Sequence, residues 1–572
     1  MGLTAEVARA VLRRYLRRFG TRGTAGADIK AGIVLGVESV PDGLAAGMLA
    51  GLNPLHGLYA YLFGTFAGAL ATGSVFMSVQ ATGAMAVVVS DVDAGMPEGL
   101  SASGLAMLVL LAGAVMLVLG IARLGTLVRF IPTAVLVGFI NAVAVNIVLG
   151  QLDNATGRVA EGDNRVLRAL DSIVHVPQWN LPTVLVTVLT VALILVLERT
   201  RIGTLGMVVA VVIGSVAAWW INILTTGSVA TIGDLIDVPR TLPGMEIPDL
   251  SLIPALVVPA CSLALVGLVQ GAAISGSIPN PDGKFADASA DFRGQGIANI
   301  ASGFFQGMPV GGSMSATALV RTAGARSALA NLCAAVVMAL AILAAGPVFE
   351  YVAMPSLAGL LILVGIRTFK IRQILLVWRT GSVQATVLSV TFLLTLVVPL
   401  QYAALSGVGL AVILYVIRQS NRVVVKQWVF DDGEQMPRET AAPEVLQGGQ
   451  TCVLVPYGSL FFAAAPVMEG QLPEVPPNAA GAVVIIRLRG KDEIGSTFLK
   501  VLEGYSVRVT AAGGTVMVAG VTSSVLQQLR ATGALGRLGE GRVFPERPRV
   551  GDSIREALDA ADRWREDGTH TQ

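Results

Sequence analysis

Charged side chains are scarce in this chain, since Asp, Glu, Lys and Arg together make up 14% of its 572 residues. A soluble globular protein carries about 25% charged residues. Cysteine is equally rare, and Cys261, Cys333 and Cys452 are too far apart to match a metal-ligand spacing. The sequence also lacks a nucleophile constellation and a phosphate-binding loop, and its net charge is +2. These absences predict no metal, no cofactor and no nucleic-acid partner, and they argue against an enzyme.

The few charges are unevenly distributed. Residues 30–418 contain many apolar runs of roughly 17 to 24 residues, long enough to span a bilayer. After Asn421 the composition is that of an ordinary soluble domain. We therefore expect a basic amphipathic N-terminal segment on the cytoplasmic membrane surface, a membrane domain, a linker, an α/β domain and a short tail. Their expected ranges are 1–27, 28–420, 421–450, 451–565 and 566–572.

The apolar runs predict about fourteen spans in two halves of seven, with the first span broken at Pro41. Arginine and lysine recur in every second short loop, which favours an even number of spans with both termini in the cytoplasm. Seven spans per half force the second half to lie upside down relative to the first, which is an inverted repeat. The expected spans are 29–50, 55–72, 80–92, 101–121, 130–151, 183–198, 204–225, 252–276, 294–307, 314–322, 328–346, 356–369, 382–399 and 402–418.

Two segments rich in Gly, Ser and Thr, at 78–85 and 311–317, interrupt the third and tenth spans. Non-helical backbone at membrane depth survives only where it lines a cavity, and a matched pair of such breaks indicates a transporter binding site. Two helix N-termini aimed at one point would attract an anion without a Lys or Arg. The alternative is that small residues only permit close helix packing. The expected substrate-binding residues here are Ala81, Thr82, Gly83, Gly312, Ser313, Met314 and Ser315.

Ionisable groups inside a membrane domain are functional candidates by default. Glu38 and Asp42 flank Pro41 in the first span, and the counterpart region of the eighth span offers only Gln270. Glu38 is a candidate for carrying charge during transport, although a position in a solvated vestibule would also explain it. Asp42 either has the same role or caps a helix that restarts after Pro41. Gln270 is added to the expected binding residues.

Ordered motifs along most of the chain resemble the sulfate permease family of anion transporters. The resemblance implies a uracil-permease-like fold with core and gate domains, usually a homodimer, and a substrate held between the third and tenth helices. The matching motifs are DIKAGI at 28–33, VPDGLA at 40–45, LNPLHGLYA at 52–60, GQGIANI at 294–300 and GSMSATA at 312–318.

The chain departs from that family at three positions. It has Asp42 where the family usually has Gln, Gln270 where many members have an acidic residue, and Ala316 where many have Arg. In sodium-dependent bicarbonate carriers of the family, an Asp at the position of Gln270 is used for the sodium ion, so Gln270 argues against sodium coupling. Proton coupling through Glu38 is the alternative. The third departure removes a cation that helps to hold anions.

The C-terminal region resembles a STAS domain, the small α/β fold that sulfate permeases share with anti-sigma-factor antagonists. Continuous apolar runs at 483–486 and 515–518 are typical of buried strands. Ser496 aligns with the serine that the antagonists phosphorylate, but a plain helix N-cap explains Ser496 better because the neighbouring Asp and Gly are missing. The domain would be the docking site for any cytoplasmic partner.

Taken together, the sequence predicts a secondary active transporter of a small anion (sulfate, bicarbonate or a dicarboxylate) in the inner (cytoplasmic) cell membrane. An anion channel is one alternative, and a membrane scaffold or sensor that signals through the STAS domain is another.

Overall fold

The computed structural model describes the chain except for a set of short segments. The chain divides into two compact units, Met1–Leu410 and Ala411–Gln572. The predicted N-terminal amphipathic helix lies for the most part outside the described residues, where only Arg17–Phe19 form a 3-10 turn before the first long helix. The segments outside the description are 1–16, 21–22, 98, 126–131, 163, 226–227, 236–240, 421–422, 431–435, 459, 461–463 and 570–572.

Among the described residues, the first half of the membrane unit contains seven helices in the order of the predicted spans, with a short strand before the third. Two further short helices, α6 and α7, follow the fifth span. The elements are α1 (Ala25–Leu49), α2 (Pro54–Ala71), β1 (Ser78–Gln80), α3 (Gly83–Ala94), α4 (Ala102–Ile121), α5 (Thr133–Gly150), α6 (Leu152–Thr156), α7 (Arg165–Val174), α8 (Leu181–Leu197) and α9 (Gly206–Thr225).

The second half repeats this order, again with a short strand before its third span. The short helix α15 lies between its fifth and sixth spans. The elements are α10 (Ile253–Ser277), α11 (Ala288–Phe304), β2 (Gly311–Ser313), α12 (Met314–Thr322), α13 (Leu329–Phe349), α14 (Met354–Thr368), α15 (Ile371–Thr380), α16 (Ser382–Val397) and α17 (Leu400–Ser420).

The spanning helices pack as two bundles. Helices α1 to α4 contact α10 to α13 and form what we term the core bundle, while α5, α8, α9, α14 and α16 form the gate bundle. Among the described residues, six helices are long and apolar enough to cross a bilayer on their own, and α8 and α16 are shorter apolar helices. The third helix of each half is shorter still, and the strands that precede these two helices pair antiparallel with each other. Antiparallel pairing of equivalent strands is the arrangement that an inverted repeat requires, so the predicted fold class is confirmed.

The predicted break at Pro41 is wrong, because α1 continues as one helix from Ala25 to Leu49. A proline inside a helix removes one hydrogen bond and bends the helix without having to end it. Close packing supports the helix here: Gly57 of α2 lies so near Gly43 that a Cβ at position 57 would overlap the Gly43 carbonyl oxygen. The first membrane helix also begins at Ala25, slightly before the predicted boundary at residue 28.

The C-terminal unit contains a six-stranded sheet in the order β4-β3-β5-β6-β7-β8. Strands β5 to β8 pair parallel to one another, whereas β3 pairs antiparallel with both β4 and β5. Helix α19 packs its apolar side chains on one face of the sheet and α22 covers the other. The elements are β3 (Val424–Val429), β4 (Arg438–Ala441), β5 (Thr451–Tyr457), α18 (Ala465–Glu469), β6 (Val483–Arg487), α19 (Ser496–Ala511), β7 (Thr515–Val521), α20 (Ser523–Ala531), α21 (Ala534–Leu538), β8 (Val543–Pro545) and α22 (Asp552–Thr569).

Three details of the C-terminal prediction need correction. Residues 421–450 are not a plain linker, because they contain β3 and β4 of the sheet. The predicted tail at 566–572 starts inside a helix, since α22 runs to Thr569. Ser496 is not an N-cap, because Gly495 occupies that position and exposed Ser496 is the first residue of α19. Short alternating strands such as β3 give a weak hydrophobic signal, which is why the composition alone suggested a linker.

Strand β3 should therefore be required for the C-terminal unit to fold. A fragment of residues 423–569 should unfold cooperatively on heating, whereas a fragment of residues 451–569 should melt at a lower temperature or aggregate. The shorter fragment lacks Val423 and Val425, which are buried in the core of the sheet, and each such side chain contributes about 1.5 to 3 kcal/mol. Circular dichroism melts of the two purified fragments measure the difference. Equal melting temperatures would contradict the assignment of β3 to this unit.

Candidate functional site

A two-stranded antiparallel ribbon joins the two broken segments at the centre of the core bundle. Ser78 pairs with Ser313, Val79 with Gly312, and Gln80 with Gly311. Strand β2 continues directly into α12, and β1 leads into α3 after two residues. Because the strands run antiparallel, the N-termini of α3 and α12 lie at opposite ends of one short ribbon. The two segments that the sequence singled out are thus brought together.

Each of the two helices begins with a hydroxyl cap. The Thr82 hydroxyl oxygen accepts a hydrogen bond from the Met85 N–H, and the Ser313 hydroxyl oxygen accepts one from the Ala316 N–H. A helix has no internal acceptor for its first N–H groups, and their dipoles make the N-terminus electropositive. The site therefore presents backbone donors from two helices.

Gln270 of α10 joins the two halves of the site. The Thr82 hydroxyl donates a hydrogen bond to Gln270 Oε1 at 3.2 Å, and a Cβ on Gly311 would lie 3.2 Å from that same oxygen. The amide oxygen is thus committed to the protein, and the Gln270 Nε2 group has no partner among the described residues. Gln270 adds a neutral N–H donor to the site, where a carboxylate at the same position would add negative charge.

The predicted site residues differ in exposure. Ala81 and Gly312 are buried, and they contribute backbone rather than side chains. Thr82, Gly83, Gln270 and Ser313 are half-buried, whereas Met314 and Ser315 are exposed at the first turn of α12. The hydroxyl oxygens of Ser313 and Ser315 are 3.2 Å apart. Hydroxyl and amide groups line this position, and none of the residues that form it is a Lys or Arg.

Side-chain amides that the sequence analysis did not single out hold the ribbon in place. Asn299 of α11 accepts a hydrogen bond from the Val310 N–H at 2.9 Å and donates to the Val310 carbonyl at 2.7 Å. Gln295, one turn earlier, accepts from the Gly312 N–H at 3.1 Å, and Gly271 of α10 leaves room for its amide. On the other strand, the Ser78 hydroxyl donates to Asn331 of α13 at 2.7 Å. Gln295 and Asn299 are spaced four residues apart in an apolar helix, and this spacing could have identified them.

Glu38 and Asp42 lie in the part of α1 that is next to the ribbon. Gln80 of β1 donates a hydrogen bond to the Ser39 hydroxyl at 3.0 Å, so the turn of α1 that carries Glu38 contacts the ribbon. Asp42 accepts a hydrogen bond from the Tyr61 hydroxyl at 2.6 Å. Since α1 is continuous through this region, Asp42 does not cap a helix, and that interpretation is wrong. Neither Glu38 nor Asp42 makes a described hydrogen bond to the half-helices.

An ion pair connects the far end of α3 in the core bundle to α7, which packs against α5 and α16 of the gate bundle. Arg165 Nη1 lies 2.6 Å from Asp91 Oδ1, and both side chains are mostly buried. Arg165 also donates to the Val87 carbonyl of α3 at 3.3 Å. A cavity of about 180 Å³ lies at the same place, lined on one side by Ser90 of α3 and on the other by Asp153 of α6. The ion pair therefore holds the two bundles together at this end of α3.

Comparison with known proteins places the chain among anion transporters. Residues 26–391 match the model of the sulfate permease family. The chain is 25% identical over 557 residues to "Probable sulfate transporter Rv1739c" of Mycobacterium tuberculosis, covering 95% of this chain and 97% of that protein. It is 26% identical over 465 residues to the bicarbonate transporter BicA of Picosynechococcus, covering 77% and 78% of the two chains. The solved structure of SLC26A9 has the same fold, with a TM-score of 0.83 at 18% identity and coverage of 100% and 96%.

Replacing Asn299 with Leu should both destabilise the protein and weaken binding of a small anion. The substitution leaves the buried Val310 N–H and C=O without their partner, and each unsatisfied group costs about 1 to 3 kcal/mol. Thermal unfolding in detergent and calorimetric anion titration measure the two effects. Asn146→Leu is the matched control, because Asn146 is a buried amide of the gate bundle that donates to Thr395 O. It should lower stability without changing affinity, and unchanged affinity in Asn299→Leu would contradict the prediction.

Proposed function

Because the chain belongs to the sulfate permease family, whose members are transporters rather than enzymes, we propose that it is a secondary active transporter that moves a small anion by alternating access. The observation that carries the proposal is the pair of capped helix N-termini at the β1–β2 ribbon. The substrate would bind between α3 and α12, held by backbone donors and by the Gln270 amide. The proposed binding residues are Ala81, Thr82, Gly83, Gln270, Gly312, Ser313, Met314 and Ser315.

The donor set favours a small oxyanion of the sulfate, bicarbonate or dicarboxylate class. Backbone N–H groups, hydroxyls and one amide can each donate to an oxygen atom, and small side chains allow an anion to approach the backbone. The names of two relatives, a sulfate transporter and a bicarbonate transporter, support this class. Without a cationic side chain in the donor set, binding would depend on helix dipoles and hydrogen bonds, so we expect moderate affinity.

Alternating access is supported by the division of the membrane unit into two bundles. The half-helices that hold the proposed site belong to the core bundle, and the Arg165–Asp91 pair joins that bundle to the gate bundle at one end of α3. Movement of one bundle along the other would break this pair and open the site to the opposite side. An anion channel would not need an ion pair that closes one side of the site. A scaffold or sensor would need no paired half-helices, which weighs against that alternative.

We propose proton rather than sodium coupling. Na⁺ is a hard cation that prefers oxygen ligands, and Gln270 supplies no carboxylate and already uses its amide oxygen to accept from Thr82. Glu38 is the candidate proton carrier, with Asp42 as the second acidic residue of the same helix face. A neutral Glu38 would leave the site electropositive for the anion, whereas a charged Glu38 would oppose anion binding.

The remaining assignments follow from the family. We propose that the protein is a homodimer in the inner (cytoplasmic) membrane with both termini in the cytoplasm. The C-terminal unit would be a STAS domain, in which exposed Ser496 is a candidate for regulation and for recognition by a cytoplasmic partner.

Uptake by purified protein in proteoliposomes tests the proposal. Labelled sulfate, bicarbonate, a dicarboxylate and uracil are offered in turn, with sodium and pH gradients imposed separately. Saturable uptake of at least one anion, with none of uracil, is expected. Anion flux that does not saturate would instead favour a channel, and the absence of any flux from folded protein would favour the scaffold.

Gln270→Glu should weaken anion binding by about tenfold or more, which corresponds to about 1.4 kcal/mol. A carboxylate would replace the free amide donor and repel the substrate. Gln270→Leu should have a smaller effect, because it removes the donor without adding charge. Gln373→Glu on exposed α15 is the control for the added charge and should bind normally. Equal affinity in Gln270→Glu and in the unmodified protein would remove Gln270 from the site.

Glu38→Gln should flatten the dependence of uptake on pH. In the unmodified protein, uptake should rise as the pH on the loading side falls, because the protonated carboxyl accompanies the anion. Glutamine resembles the protonated form at every pH, so the variant should exchange anions but not concentrate them with a pH gradient. Initial rates between pH 5 and 8 measure this. Strong stimulation of the unmodified protein by sodium would refute the coupling scheme.

A further inference from the structure

Helix α7 (Arg165–Val174) is amphipathic, and its apolar face points outward rather than toward the protein interior. Its apolar side chains recur every three or four residues and point away from the protein: Leu170 is 54% and Val174 is 74% exposed. Leu167 and Ile173 lie on the same stripe and are also exposed. In a water-soluble protein this stripe would face the core. Here it forms part of the outer surface.

The polar face of α7 is the face that contacts the protein. Arg165 pairs with Asp91 of α3, Arg168 with Asp153 of α6, and Asp171 with Arg158. The small residues Ala169 and Ser172 are buried on this side. Its charged side chains are therefore already neutralised by named partners, and only the apolar stripe is left without a described contact.

The position of α7 places this stripe at the edge of the membrane. The indole N–H of Trp179 donates to the Ser172 carbonyl at 2.9 Å, which ties the last turn of α7 to the start of α8. The spanning helix α8 begins two residues after Trp179, and its Leu185 and Val188 are also exposed. Tryptophan is enriched where spanning helices enter the headgroup region. The spanning helix α5 precedes α6 and α7, and the spanning helix α8 follows them, so α7 cannot move far from the membrane surface.

We propose that α7 docks in the lipid interface, with its apolar stripe in the acyl-chain region of the leaflet in which α8 begins. The partner is the bilayer itself, because the stripe carries no unpaired polar group and continues the surface of a spanning helix. An amphipathic helix in this position buries its apolar face about 5 to 10 Å below the headgroups. Through Arg165, the docked helix holds the end of α3, the half-helix that begins at the ribbon.

Spin labelling tests the docking without relying on transport activity. Cys261, Cys333 and Cys452 are replaced by Ala, and one nitroxide is attached at position 170 through Leu170→Cys. The labelled protein is reconstituted in phosphatidylcholine–phosphatidylglycerol vesicles, and collision rates with oxygen and with a water-soluble nickel chelate are measured. Val188→Cys on α8 calibrates a lipid-facing position, and Val507→Cys on α19 of the C-terminal unit calibrates a water-facing one.

The label at position 170 should resemble that at position 188, with oxygen collisions dominant and nickel collisions several-fold lower than at position 507. Nickel collisions as frequent as at position 507 would overturn the proposal, because the stripe would then face water. Low collision rates with both reagents would also overturn it, since a second copy of the chain would then cover the stripe. Should Leu170→Cys fail to insert, Val174→Cys samples the same stripe at a more exposed position.

Discussion

The need to satisfy backbone hydrogen bonds away from water governs this structure. Two strands lie inside a helical membrane bundle, where an unpaired N–H or C=O costs several kcal/mol. Each strand pairs with the other along one edge. On the side of β2 away from β1, Gln295 accepts from the Gly312 N–H and Asn299 bonds the preceding Val310 backbone. For β1, the Thr317 hydroxyl accepts from the Ser78 N–H, and the Thr65 hydroxyl donates to the Val79 carbonyl. Side-chain amides and hydroxyls therefore complete hydrogen bonds of the ribbon that its two strands cannot make with each other.

The same constraint accounts for the chemistry of the site. Interrupting a helix creates a new N-terminus, and its first N–H groups have no acceptor within the helix. A hydroxyl cap satisfies one such group in each of α3 and α12, and in the proposed mechanism a ligand would use the remaining donors. In the proposed mechanism an anion completes these hydrogen bonds. The donors belong to the backbone, so the geometry of the ribbon, rather than any single side chain, would determine affinity.

The sequence was sufficient for features that depend on long apolar runs or on composition. The order of the spans, the inverted repeat and the two interrupted segments were all predicted, because bilayer thickness imposes a strict length on helices. Features that depend on tertiary contacts were predicted less well. Pro41 suggested a break, but packing at Gly57 keeps α1 continuous. Strand β3 did not stand out from a linker because Lys426 and Gln427 interrupt its apolar residues. The role of Asn299 was missed because its partner is the Val310 backbone, which the sequence does not mark, and only its four-residue spacing from Gln295 pointed to it.

Symmetry in the backbone and asymmetry in the side chains have separate consequences here. The inverted repeat pairs two equivalent strands and places two equivalent helix starts at the two ends of one short ribbon, so the proposed electropositive site would arise from the repeat alone. The first helices of the two halves differ, since α1 carries Glu38 and Asp42 whereas α10 carries the neutral Gln270. An anion bound between equivalent N-termini would interact with both halves alike, so coupling to another ion would have to come from the unequal helices. In the proposed mechanism the repeat would provide binding, and its departures from symmetry would determine which gradient drives transport.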